Sequence, residues 1–255
     1  MSDLKDEFSS DGGFVDIHAH ILPGLDDGAV AVEESVEMAR TAVAHGVSAI
    51  IATPHSNEAY GTDRAVVERE IASLNKVLRS EGVELEVYPG AEIKASPHIF
   101  RQLEDGSLQT LADSRYILIE MPLDDIPFYM QDLIFRLRLK GLVPILAHPE
   151  RTVAVQKRLK RLESLVDQGC LIQINTLSLE MGFGPEYATA VDIMRKGWAF
   201  AVASDAHDLE SRPPCLKGAL HIVARLLGKS PALALVRDNP GRILGFFYPS
   251  FTSLG

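Results

Sequence analysis

The side chains able to do chemistry gather at a few short places. The run Val15-Asp16-Ile17-His18-Ala19-His20 carries two imidazoles two residues apart. In an extended strand, period-two alternation turns Asp16, His18 and His20 to one face, so both rings can reach one cation. Asp27 follows within Asp26-Asp27-Gly28, His55 closes Thr53-Pro54-His55, Glu92 closes Gly90-Ala91-Glu92, and Glu120 ends Tyr116-Ile117-Leu118-Ile119-Glu120. His148 opens His148-Pro149-Glu150-Arg151, and Asp205 and His207 stand in Ser204-Asp205-Ala206-His207. Each alone has an ordinary explanation, since a lone buried histidine is usually just hydrogen-bonded and a lone glutamate solvated. Together they are five histidines and four carboxylates with no thiolate, more donors than one ion of about four to six ligands requires. Two or three divalent cations are expected, with Glu92 or Asp205 able to bridge. Nitrogen and oxygen ligation suits manganese, iron or zinc.

Paired cations lower the pKa of a bound water and clamp the attacking and leaving oxygens of a phosphoryl transfer. Phosphate also asks for forked cationic donors. Arg151, three residues after His148, and Arg212, five after His207, are placed to supply them, although either can pair with a neighbouring acid instead. A cysteine nucleophile is excluded: a Cys-x5-Arg loop needs arginine six residues on, where Cys170 has Thr176 and Cys215 has His221. Gly228-Lys229-Ser230 is no phosphate-binding loop, because Val223 occupies the position of the first glycine. His45 reads as a cation at a helix end, His98 and His221 as helix residues, and Asp124 and Asp125 as a solvated loop.

The elements that must position these groups follow from periodicity. Seven β-branched, apolar segments recur: Phe14–Ile17, Val47–Ala52, Leu85–Tyr88, Arg115–Ile119, Val143–Ala147, Cys170–Ile174 and Ala199–Ala203. Their starts lie 27 to 38 residues apart, room for one helix and two short loops in each gap. Val32, Val36, Ala39 and Val43 form one helical stripe closed by Gly46. Leu133 and Leu137 before Gly141, and Leu159, Leu162 and Val166 before Gly169, repeat it. Leu216 to Leu227 ends at Gly228, and a short helix is expected around Ala232 to Val236. An open doubly wound sheet would collect polar residues at one switch point. Here nearly every strand ends in a candidate ligand, which a closed barrel brings together over one mouth.

The chain has 255 residues, 46% hydrophobic and 24% charged, enough for a sizeable core in one domain spanning residues 1–255. Residues 1–13 read as a polar extension, and residues 246–255 as an aromatic tail that packs on the barrel or docks a partner. The net charge of −10 argues against nucleic acid or an anionic membrane surface as the main partner. It does not argue against phosphate, because three divalent cations would cancel more than half of it locally. Two cysteines exclude a disulfide framework. With no apolar signal core and no run of 18 apolar residues, a soluble, cytoplasmic protein without membrane insertion is expected.

The run Asp16-Ile17-His18-Ala19-His20-Ile21-Leu22-Pro23 with Asp26-Asp27-Gly28 resembles the polymerase-and-histidinol-phosphatase superfamily. More narrowly it resembles the manganese-dependent protein-tyrosine phosphatases of bacterial capsule and exopolysaccharide synthesis. The later motifs keep the family's order: Ala52-Thr53-Pro54-His55, Pro89-Gly90-Ala91-Glu92-Ile93, the strand ending at Glu120, Ala147-His148-Pro149-Glu150-Arg151, Ala203-Ser204-Asp205-Ala206-His207 and Ser211-Arg212-Pro213-Pro214. The match spans residues 14 to 245. It implies a distorted, TIM-barrel-like (β/α)7 fold with a trinuclear centre. His18, His20, Glu92 and Asp205 would hold one ion, Glu92, Glu120 and His148 a second, and Asp27, His55 and His207 a third. Arg151 and Arg212 would grip the phosphate. The implied substrate is phosphotyrosine in the tyrosine-rich tail of a bacterial tyrosine kinase that controls polysaccharide export. Glu120 stands where relatives acting on other phosphoesters often carry histidine, which favours the tyrosine branch. Ser56 departs from the histidine or basic residue that many relatives carry after the position of His55.

Two enzymatic alternatives share such a barrel. A phosphatase for small esters such as histidinol phosphate would use the same donors. An amidohydrolase would place a bridging lysine at the fourth strand's end, where Glu120 stands, and Lys94 is misplaced for that role. A non-catalytic module on a decayed barrel would be expected to show gaps in the donor set.

Overall fold

Helices that carry the chain back across a sheet return each strand to the same end, so strands joined in this way pair in parallel. The computed structural model describes residues 13–57, 59–60 and 63–246. Among the described residues there are nine strands: β1 (Phe14–Ala19), β2 (Val47–Ala52), β3 (His55–Ser56), β4 (Glu86–Pro89), β5 (Glu92–Lys94), β6 (Tyr116–Glu120), β7 (Val143–Ala147), β8 (Leu171–Asn175) and β9 (Ala199–Ala203). All pair in parallel, in the orders β1-β2-β4 and β3-β5-β6-β7-β8-β9.

The seven expected staves are all present, but two are broken, which raises the strand number to nine. β2 halts at Thr53-Pro54 and resumes as β3, and β4 halts at Pro89-Gly90 and resumes as β5. Pro54 has no N–H to give a ladder, although its carbonyl still accepts from the Glu92 N–H at 3.2 Å. At Gly90 a Cβ would lie 2.7 Å from Ile51 Cγ2 and 3.0 Å from the Ala52 carbonyl, so only glycine lets the two kinks pass each other. The breaks carry the chain from one sheet to the other. Glu92, expected beyond the end of strand three, therefore opens β5, with His55 as its register partner on β3.

The remaining seam joins β1 to the chain after β9. Ala19 and Ala206 form a parallel bridge, Asp205 N–H donates to the His18 carbonyl, and His20 N–H donates to the Ala206 carbonyl, both at 2.8 Å. The result is a distorted, barrel-like α/β arrangement of seven staves, bridged at this seam by loop backbone rather than by a strand ladder.

Alternation divides the core. Tyr116 and Leu118 of β6, Val143, Ile145 and Ala147 of β7, and Ala201 and Ala203 of β9 belong to one cluster built largely from strands. The intervening Ile117, Ile119, Leu146 and Val202 join a larger cluster with the helices. The helices Val32–Ala44, Met130–Leu139, Lys160–Asp167 and Lys217–Leu227 lie where the stripes predict, burying Val36 and Ala39, Leu133 and Leu137, Leu162, and Leu220. Each leucine so buried contributes about 2 kcal/mol. The expected short helix begins earlier, at Lys229–Leu233, and runs on into a π turn at Ala234–Asp238. Apart from Gly13 and Phe246, the expected polar extension and aromatic tail lie outside the described residues. No described helix is long and apolar enough to cross a membrane.

Candidate metal centre

β1 and its extension supply the first two candidate ligands. Their register against β2 shifts between Asp16 and Ala19, which separates the three residues expected to share a face. The fully buried Asp16 turns to the seam, where its carboxylate accepts from the Ser204 hydroxyl and N–H. Burial raises its pKa to about 6, against the hydrogen bonds from Ser204. His18 and His20 face each other instead, with their Nε2 atoms 3.3 Å apart. Their other nitrogens are held from behind: His18 Nδ1 lies 3.1 Å from Gln173 Oε1, and His20 Nδ1 lies 2.6 Å from Asp26 Oδ2. Fixing Nδ1 in this way leaves Nε2 as the ligating atom.

Glu92 sits at the centre, almost wholly buried. Its Oε1 is 3.0 Å from His148 Nε2 and 3.4 Å from His18 Nε2, while Oε2 is 2.9 Å from His55 Nδ1 and 3.6 Å from His20 Nε2. Asp205 Oδ1 lies 3.3 Å from His18 Nε2 and 3.4 Å from His20 Nε2. Asp27, half exposed on the loop after β1, reaches to 3.4 Å from His55 Nε2 and 3.5 Å from His207 Nε2. His207 Nδ1 lies 2.8 Å from the Asp205 carbonyl, and the buried Nε2 has no hydrogen-bond partner.

Two of these residues hold left-handed backbone conformations that β-carbons disfavour, His148 at φ 30° and Asp205 at φ 53°. Such positions cost of order 1–3 kcal/mol and persist where surrounding bonds over-determine them. Here His148 N–H donates to Gln173 Oε1 and Asp205 N–H to the His18 carbonyl. Each is the first or second residue beyond its strand, and the conformation turns its side chain back over the mouth.

Four overlapping sets of donor atoms result: His18, His20 and Asp205; His18, Glu92 and His148; His55, Glu92 and Glu120; and His20, Asp27, His55 and His207. All nine sequence candidates take part, and Asp16 does not. The grouping differs in detail from the one the family resemblance implies. Glu120 falls with His55 and Glu92, whereas His148 falls with His18 and Glu92.

The electrostatics suit cations. Burial opposes charge on His18 and His20, yet the carboxylates of Glu92, Asp205 and Asp26 outweigh it and raise their pKa values to about 9 and about 10. Glu92 and Asp205 are held well below the usual carboxylate range despite burial, chiefly by His18. Burial, then repulsion from Glu92, raises Glu120. Burial and the charge of His20 push His207 down to about 4, which leaves its inward Nε2 an unprotonated donor. A buried imidazole lone pair with no hydrogen-bond partner, beside carboxylates shared among several rings, fits divalent cations of borderline softness.

Arg151 and Arg212 reach the same centre, both about a third exposed. Arg151 Nη1 donates to Asp205 Oδ2 at 3.2 Å, and Arg212 Nη2 lies 4.0 Å from Asp27 Oδ2. Both thus lean on candidate ligands from the solvent side. Lys94 stands on β5 in register with Glu120. His45 caps the helix Val32–Ala44, His98 begins Ile99–Glu104, and His221 lies on Lys217–Leu227, none of them in the donor sets.

Sequence reasoning placed Asn175 at a strand end but gave no supporting role to the residues behind the ligands: Asp26, Gln173, Asn175 and Ser204, with Glu150 one step further back, holding Asn175. A signal existed for two of them. Gln173 and Asn175 occupy alternate positions of the otherwise apolar strand β8, and a buried polar side chain there needs a partner.

The family model described as "Capsular polysaccharide synthesis, CpsB/CapC" matches residues 14–245. The tyrosine-protein phosphatase YwqE of Bacillus subtilis is 39% identical over 216 residues, covering 84% of this chain and 85% of YwqE. A chain from the crystal structures of YwqE from Bacillus subtilis and CpsB from Streptococcus pneumoniae, described there as unique metal-dependent tyrosine phosphatases, superposes with a TM-score of 0.87 at 37% identity. That match covers 91% of this chain and 94% of the other. The phosphotriesterase homology protein from Escherichia coli shares the fold alone, with a TM-score of 0.60 at 11% identity over 92% of this chain and 99% of its own.

Proposed function

Because the chain belongs to the CpsB/CapC family of capsular polysaccharide synthesis, we propose that it hydrolyses phosphotyrosine in protein substrates with bound divalent cations. The observation that carries this reading is Glu92, whose two carboxylate oxygens face different pairs of imidazoles inside four overlapping donor sets. Glu92 would bridge, His18, His20, Asp27, His55, Glu120, His148, Asp205 and His207 would complete the shell, and two or three cations would be held, manganese first among them. Bound cations would supply the acidity for an attacking water and charge compensation at phosphorus.

The chain's own residues do the remaining work. Arg151 and Arg212 exchange their carboxylate partners for the phosphate oxygens and fix its orientation. Their lean towards Asp205 and Asp27 keeps both guanidinium groups over the donor sets before substrate arrives. Tyrosine's phenolate has a pKa of about 10, so it leaves without a strong general acid, and none is assigned here. Glu120 at the end of β6, where an amidohydrolase would place lysine, supports the phosphatase over that alternative.

The finer reading is that the substrate is the tyrosine-rich tail of a bacterial tyrosine kinase governing capsule or exopolysaccharide synthesis, met in the cytoplasm. The test is to assay a phosphotyrosine peptide beside histidinol phosphate, with manganese and then after chelation. Peptide turnover that requires manganese and exceeds histidinol phosphate turnover is expected. Peptide turnover unchanged by chelator would overturn the metal-dependent reading, and preference for histidinol phosphate would move the function to small esters.

A further inference from the structure

The two oxygens of Asp205 have unequal surroundings. Oδ1 faces the Nε2 atoms of His18 and His20, whereas Oδ2 accepts two N–H groups, from Asn175 Nδ2 at 2.8 Å and Arg151 Nη1 at 3.2 Å. The two donors differ in kind. Arg151 is a long, 30% exposed side chain, and Asn175 is 2% exposed and fixed at three points. Its Oδ1 accepts from Leu177 N–H at 3.1 Å as the cap of the helix Thr176–Glu180. Its own N–H donates to Glu150 Oε1 at 2.8 Å, from a glutamate that is completely buried. The amide cannot be reversed without setting its oxygen against a carboxylate and its NH2 group against an N–H.

We propose that Asn175 is a positioning residue for Asp205. It ties up Oδ2, so that Asp205 can offer a cation only Oδ1, and it keeps that orientation when Arg151 leaves for the substrate's phosphate. Asp205 is then a terminal ligand, while Glu92, with neither oxygen tied in this way, is the carboxylate suited to bridge. Of the two bridging candidates that the sequence offers, the hydrogen bonds favour Glu92. The departure of Arg151 rests on the proposed phosphatase reading; the anchoring of Asp205 does not.

Substitution at position 175 separates the roles of this one side chain. Asn175→Ser retains an oxygen able to cap the helix and leaves the backbone bond to Glu150, but it is too short to reach Asp205. Asn175→Asp keeps the size and the cap and sets a like charge against Oδ2. Manganese binding to the metal-stripped full-length protein, read by calorimetry beside the melting temperature, requires no substrate. Asn175→Ser is expected to weaken manganese binding about tenfold with the melting temperature nearly unchanged, and Asn175→Asp to weaken it further. In an Arg151→Ala background the Asn175→Ser loss is expected to grow, because Asp205 Oδ2 then has no donor left. Parental affinity in both position-175 variants would overturn the proposal, as would strictly additive losses in the cycle. If Asn175→Ser melts early, Asn175→Asp, which keeps the cap, decides in its place. A protein that shows the coupling but hydrolyses no phosphotyrosine peptide would retain this inference and lose the proposed function.

Discussion

Asp26 Oδ2 lies 2.6 Å from His20 Nδ1 and also accepts the His55 N–H at 2.9 Å. One buried carboxylate thereby orients candidate ligands from two staves, and Asp26 Oδ1 ties down its own loop through Gly28 N–H. Burial disfavours charge on Asp26, but the bond to His20 prevails and lowers its pKa. Asp26→Asn preserves shape and removes the charge that backs His20. Manganese affinity is expected to fall about 10- to 100-fold, with kcat/KM following it. Calorimetric titration of the metal-stripped variant checks this, and parental affinity would show that Asp26 merely closes a loop.

Gly28 explains why that loop tolerates no side chain there. A Cβ at this position would meet the His20 carbonyl at 2.1 Å and His20 Cβ at 2.5 Å, both on the residue that Asp26 holds. Gly28→Ala is therefore expected to displace His20 and to lower bound manganese and phosphatase activity at least tenfold. The overpacking costs about 1–3 kcal/mol, less than the stability of most folds. Metal content by elemental analysis, alongside far-ultraviolet circular dichroism, tests it. Full metal occupancy in a folded variant would refute the tight packing.

The donor set was legible in the sequence because a parallel barrel places strand ends together, so nine polar residues at those ends pointed to one mouth. His148 and Asp205 were visible as types and positions, but not their left-handed backbone, which is fixed by bonds to Gln173 and His18 far away in the chain. The two broken staves are not legible in the sequence, because an apolar run followed by proline reads equally as a strand end or a kink; close approach at Gly90 decides it. The supporting roles of Asp26 and Glu150 are hidden for a related reason. Their task is to bind other protein groups, and such partnership has no fixed spacing.

Cysteine plays no part in the proposed chemistry, and the structure makes that testable. Cys170 is buried, and burial pushes its thiol up to about 12, so almost no thiolate exists at pH 8. Treating the native protein with iodoacetamide at pH 8 is expected to leave Cys170 unmodified by peptide mass mapping and to spare activity on a phosphotyrosine peptide. Inactivation in step with alkylation of Cys170 would contradict both its burial and the metal-dependent route.

Cation uptake should expel protons. In the metal-stripped protein, the surrounding carboxylates hold the pKa of His18 near 9 and of His20 near 10, against the penalty of burial. Both values lie above the unfolded histidine value of about 6.5. The imidazolium forms therefore stabilise the metal-free fold fully below about pH 6.5, and that stability is lost as pH rises through 9 to 10. A cation needs the same two Nε2 atoms unprotonated, so it competes with protons across the neutral range. At least one proton should leave per molecule on saturation at pH 7, because the facing Nε2 atoms share one hydrogen bond, and apparent manganese affinity should climb about tenfold between pH 6.5 and 7.5. Calorimetry in two buffers of different ionisation enthalpy counts the protons directly. Proton-free binding with no pH dependence would mean that His18 and His20 are neutral before the metal arrives, and that the carboxylates do not charge them.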